Sequence, residues 1–192
     1  MPKIRIPRGS PYEQARLASR WLHDADDRLW SDFPRYWMAF NALYNAVVNE
    51  GEPEIAAVMR VIQLFVDLPS AESCLHDIGR DRIRRLMAVP PGDDRIPATH
   101  PNYRKKTSTQ VESFRTSGNS VERLAALMAI IYQVRCNLVH GSKDPTVMRN
   151  QELVSTCTPI LEIVVSRLTE IMRHHHELPV VATGIQPGGG VA

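Results

Sequence analysis

The stretch "LAALMAIIYQV", Leu124 to Val134, constrains this chain most, because it is almost wholly apolar. At about 100° per residue along a helix, Leu124, Leu127, Met128, Ile131, Val134 and Leu138 form one stripe. Ala125, Ala129, Ile130 and Tyr132 cover most of what remains. A helix that is apolar nearly all round has to be central, with neighbours on several sides. The rest of the sequence must therefore supply the elements that wrap it.

Those elements read as helices. In "SPYEQARLASRWLHDADDRLW" Ser10 can cap, Pro11 suits the first helical position and Glu13 completes a capping box. Asp32 can cap a second, aromatic helix, "SDFPRYWMAFNALYNAVVNEGEP", which Gly51 and Pro53 stop. A third helix is expected near Glu54 to Leu68. A fourth is expected near Ala71 to Ala88, interrupted by Gly79. The central helix runs near Val121 to His140, and a long last one near Val147 to His175, where Pro159 should kink or split it. No strand alternation and no internal repeat stands out. The expectation is an all-α bundle of five to seven helices forming a single domain, residues 1–176, followed by a disordered tail, residues 177–192.

One segment breaks the pattern. Residues 89–119 are rich in proline, glycine, serine, threonine and charge, and they read as an irregular loop or insertion before the central helix. Length agrees with one domain: 192 residues, 43% hydrophobic and 23% charged, are ordinary for a globular protein. A formal net charge of +2 permits nucleic-acid binding without arguing for it. Cys74, Cys136 and Cys157 are odd in number and lack metal-ligand spacing, so they read as reduced thiols of a cytoplasmic protein. The first residues contain no apolar signal region, and no apolar run approaches the roughly 20 residues of a membrane span. Three consecutive histidines, His174 to His176, resemble a metal tract. Successive helical residues point about 100° apart, however, so they do not converge on one ion, and no metal or cofactor is expected.

The central helix ends in "YQVRCNLVHGSKDP", where Arg135, Cys136, Asn137 and His140 follow the apolar run and Gly141 ends the helix. A guanidinium within the apolar stripe needs partners. A histidine can move a proton near neutral pH, and an arginine can grip a phosphate with two hydrogen bonds. Together they suit phosphodiester cleavage in which a ribose 2′-hydroxyl is the nucleophile. The spacing alone is weak, because Arg95 and His100 in "RIPATH" repeat it among prolines. A structural pair inside the core is the plainer alternative.

The context adds more than the spacing. "IYQVRCNLVHGSKDP", after a hydrophobic helix and before a long amphipathic one, resembles the HEPN superfamily, in particular its Apea-like branch. The aromatic "RYWMAFNALYNAVV", Arg35 to Val48, is similar to the helix that precedes the motif helix there. The resemblance covers about residues 35–49 and 128–173. It implies an all-α bundle, a homodimer through the motif-helix face, and metal-independent endoribonuclease activity, often in defence or toxin systems. Carried over, Arg135 would hold the scissile phosphate and His140 would be the general base or acid. Asn137 and Cys136 would support them. Cys136 departs from the family, whose residue after the arginine is commonly asparagine, aspartate or histidine. The alternative is a catalytically inactive module that binds a regulatory protein partner, RNA or a nucleotide.

Basic residues offer RNA contacts. Lys143 lies three residues beyond His140. Arg104, Lys105 and Lys106 follow Tyr103, pairing charge for phosphate with a ring for stacking. Arg80, Arg82, Arg84 and Arg85 form a second cluster, and for each cluster taken alone a solvated face is the plainer reading.

Overall fold

The computed structural model describes residues 10–12, 15, 19, 32–93, 96, 98–139 and 148–177, the side chains of 139 and 175–177 excepted. Among them the chain is helical, with seven α-helices, one 3-10 turn and no strand. They are α1 (Asp32–Tyr44, followed by the 3-10 turn Asn45–Val47), α2 (Glu54–Phe65), α3 (Leu68–Ile78) and α4 (Arg80–Ala88). Then come α5 (Lys105–Thr116), α6 (Ser120–Val139) and α7 (Met148–Glu177). The expected all-α bundle is therefore the architecture. Most of the first expected helix, the tail beyond Glu177, and Arg95, His140, Gly141 and Lys143 lie outside the described residues.

The apolar stretch does what its composition demands. Every residue from Leu124 to Ile131 is at most 2% exposed. Helix α6 packs on α2, α3, α5 and α7, so it is central. Its start is set by Asn119, whose Oδ1 accepts from the backbone N–H of Val121 at 2.8 Å and of Glu122 at 3.3 Å. Asp67 caps α3 in the same manner, accepting from Ser70 N–H at 2.9 Å. The interruption expected at Gly79 is real: its φ of +84° ends α3 and starts α4.

Two expectations change. Of the kink or split expected at Pro159, the split does not occur: helix α7 runs from Met148 to Glu177 with the proline inside it. A proline inside a helix costs about 3 kcal/mol. Burying one large aliphatic side chain returns about 1.5–3 kcal/mol, and Ile160, Leu161, Val164, Val165 and Leu168 are all at most 2% exposed. Tertiary burial on the C-terminal side of the proline outweighs the lost hydrogen bond.

The segment 89–119 is less irregular than its composition suggests, because it contains α5. Thr107, Val111 and Phe114 recur at helical spacing and face the core. Thr109, Ser113 and Thr116 return their hydroxyls to carbonyls four residues back, which lets poor helix formers sit in the helix. The rest of the segment folds as a clip. Asp93 N–H donates to the Tyr103 carbonyl at 2.7 Å, and the Thr107 hydroxyl donates to the Pro91 carbonyl at 2.7 Å. At Gly92 an added Cβ would lie 2.1 Å from Cζ of Tyr103, so only glycine lets the ring lie there. Gly92→Ala should destabilise the protein by about 1–3 kcal/mol through this overlap. In a Tyr103→Ala background the same change should cost far less, and urea denaturation of the four proteins measures the coupling.

Candidate functional site

Arg135 lies in the last turns of α6, where the helix leaves the core. Its side chain is 24% exposed, and Nη1 sits 3.5 Å from Oε2 of Glu54. Glu54 begins α2, far away in sequence. Tyr132, three residues before Arg135, donates its hydroxyl to Glu54 Oε2 at 3.1 Å. Tyr44, at the end of α1, donates to Glu54 Oε1. One carboxylate on α2 thus gathers an arginine and a phenol from α6 and a second phenol from α1.

Trp37 completes the cluster. Its ring lies 5.8 Å from the Arg135 guanidinium carbon, a cation–π distance. The same ring meets Phe33, Phe40, Tyr44 and Tyr132 at centroid distances of 6.5, 5.5, 6.2 and 6.1 Å. Two donors here remain unused: Nε of Arg135 and Nε1 of Trp37 are buried and have no acceptor among the described residues. Leaving a buried donor unbonded costs about 1–3 kcal/mol, so each calls for a physical account.

Burial first, then its contact with the Cys136 thiol and the nearby Glu54 charge, raises the Tyr132 phenol well above its ordinary value. Burial and the hydrogen bond to Glu54 raise Tyr44 likewise. Burial also raises Tyr36, helped by Glu162. These neutral phenols contribute stability that is whole below the ordinary tyrosine value of 10.0. The contribution is lost as pH rises through the higher folded values. Ultraviolet titration should show three of the five tyrosines ionising late, and Glu54→Gln should bring two of those three, Tyr44 and Tyr132, partway back. Unchanged titration in the variant would remove Glu54 from the cause.

The remaining residues named from the sequence take separate places. Asn137 is only 4% exposed. It accepts from Gln133 Nε2 at 2.9 Å and donates from Nδ2 to the Gly92 carbonyl at 2.7 Å. It thereby ties the clip to α6. Cys136 is half-buried and lies beside Tyr132. His140 and Lys143 lie outside the described residues. Arg104 stacks on Tyr103 at 5.9 Å, Lys106 pairs with Asp93 at 3.6 Å, and Lys105 is exposed at the start of α5. These three sit at the start of α5, which packs on the motif helix, and the clip adds a second tie through Tyr103, Gly92 and Asn137.

Local sequence reasoning misses Glu54, Tyr44 and Trp37 as partners of Arg135, since nothing near the motif points to them. Tyr132 was within reach, being one helical turn before the arginine. Burial pushes the Cys74 and Cys157 thiols up to about 11 and about 12, which keeps them protonated and unreactive. Among the described residues no group of histidines, cysteines and carboxylates could hold a metal ion, and no helix is long and apolar enough to cross a membrane. Comparison with family models, curated proteins and solved structures finds no match to this chain.

Proposed function

We propose that this protein is a HEPN-type, metal-independent endoribonuclease that acts on single-stranded RNA as a homodimer. Cleavage proceeds by attack of the ribose 2′-hydroxyl on the adjacent phosphate, leaving a 2′,3′-cyclic phosphate and a 5′-hydroxyl. One observation carries the reading. Arg135 presents a guanidinium that is 24% exposed near the end of the motif helix, close to the Trp37 ring and the Glu54 carboxylate. The exposed edge of a guanidinium can grip a phosphate with two hydrogen bonds. In this reading Arg135 holds the phosphate and opposes its developing charge, and His140 moves the proton. Cleavage of labelled RNA in EDTA by the wild type, and not by Arg135→Ala or His140→Ala, tests it. Sedimentation tests the dimer.

A second reading has its own support. Glu54 already neutralises Arg135, and Asn137 is committed to Gln133 and Gly92. An arginine held in this way also suits a silent module that binds RNA or a protein partner without cutting. RNA binding without cleavage would favour it.

A further inference from the structure

We propose that the groove between α4 and α7 is a binding track for the phosphate backbone of single-stranded RNA, separate from Arg135. Gly79 turns α4 away from α3, and Ile83, Leu86 and Met87 bury one side of it. Arg80, Arg82, Arg84 and Arg85 then all line a cavity of about 790 Å³, with Ser155 and Thr156 of α7 opposite. A second hollow of about 410 Å³ shares Arg85, Ser155 and Thr156 and extends to Arg149. Between Arg149 and Pro159 the track follows α7 for about 15 Å at 1.5 Å per residue. That is room for several phosphates at about 3.4 Å per nucleotide of stacked strand. Its far end lies by Leu153, which also borders Val134, Asn137 and Leu138 at the end of α6. The far end of the track therefore lies near the last turns of α6.

The charges favour an anion, with five arginines lining the two hollows against three carboxylates, Asp77, Asp81 and Glu152. Asp77 is taken by Arg167 at 3.2 Å, and Asp81 by Arg84 at 3.1 Å. Arg80 and Arg85 enter no ion pair among the described residues. Arginine forks grip phosphates with two hydrogen bonds, and the Thr156 hydroxyl adds a neutral donor, while that of Ser155 donates to the Glu152 carbonyl at 3.1 Å. No aromatic ring lines either hollow. Binding should then follow the backbone rather than stack on bases, with little sequence preference. An anionic membrane fits less well, because the apolar lining residues Ile78, Leu86 and Leu153 are at most 8% exposed and offer nothing to insert.

This inference rests on RNA being the ligand of the proposed function but not on cleavage. The test uses the full chain carrying His140→Ala, so that the RNA survives, and fluorescence anisotropy of a labelled single-stranded RNA. Adding Arg80→Ala with Arg85→Ala should weaken binding at least about tenfold. It should also flatten the plot of log affinity against log salt by about 1.4, since each released phosphate contact on a single strand contributes about 0.7. Arg80→Lys with Arg85→Lys should keep the slope, and circular dichroism should stay unchanged in all variants because both residues are exposed. Unaltered affinity and slope in the alanine pair would overturn the proposal. So would failure of the His140→Ala protein to bind RNA, or binding to anionic vesicles or acidic peptides in place of RNA. RNA binding through the track by a wild type that never cuts would uphold the track and refute the nuclease reading.

Discussion

Trp37→Ala should lower the free energy of unfolding by about 3–5 kcal/mol, the usual cost of removing a buried tryptophan. Trp37 is 3% exposed and joins Phe33, Phe40, Tyr44 and Tyr132. Its loss leaves a cavity between α1 and α6 and takes away the ring over Arg135. For a chain of this size the melting temperature should fall by roughly 10 °C. Met38, the next residue on α1, is 41% exposed, and Met38→Ala should stay within about 0.5 kcal/mol. Chemical denaturation of both variants measures the contrast. Equal, small effects would mean that α1 does not anchor the motif helix.

The cluster around Trp37 also explains how an arginine is tolerated in the apolar stripe. Glu54, the Trp37 ring and partial exposure together replace the water that Arg135 loses. An ion pair of two partly exposed groups contributes only about 0–1 kcal/mol. The arrangement thus stabilises weakly, and its interest lies in how it positions and neutralises Arg135. A phosphate reaching Arg135 would share it with Glu54 or displace it.

Much of the fold was legible where periodicity was strong. The stripe of α6, the aromatic face of α1 and the break at Gly79 all follow from side-chain spacing and one glycine. Helix α5 escaped because its core face consists of only Thr107, Val111 and Phe114 among serines, threonines and lysines. Local propensity is weak there, and packing on α6 decides the conformation. At Pro159 the opposite holds for the split, since a local cost was overruled by burial along α7. At the site, Arg135 announced its need for a partner, but the partner, Glu54, comes from a helix that only the tertiary fold brings near. Asn137 read as a polar helper of the motif, and it also fastens a clip through Gly92, a contact between positions far apart in sequence.

The second large effect concerns the chemistry. Removing a positioned acid or base costs about 10²–10⁴-fold in rate, and removing a charge that opposes a developing anion costs about 10²–10³-fold. His140→Ala and Arg135→Ala should each fall in that range, while Arg135→Ala should also weaken RNA binding modestly. The most direct measurement is cleavage of an end-labelled single-stranded RNA by the wild type, Arg135→Ala and His140→Ala side by side in EDTA. Wild-type products should end in 2′,3′-cyclic phosphate, and both variants should lose at least about 10²-fold in rate. Equal cleavage by all three proteins, or none by the wild type, would contradict the nuclease reading.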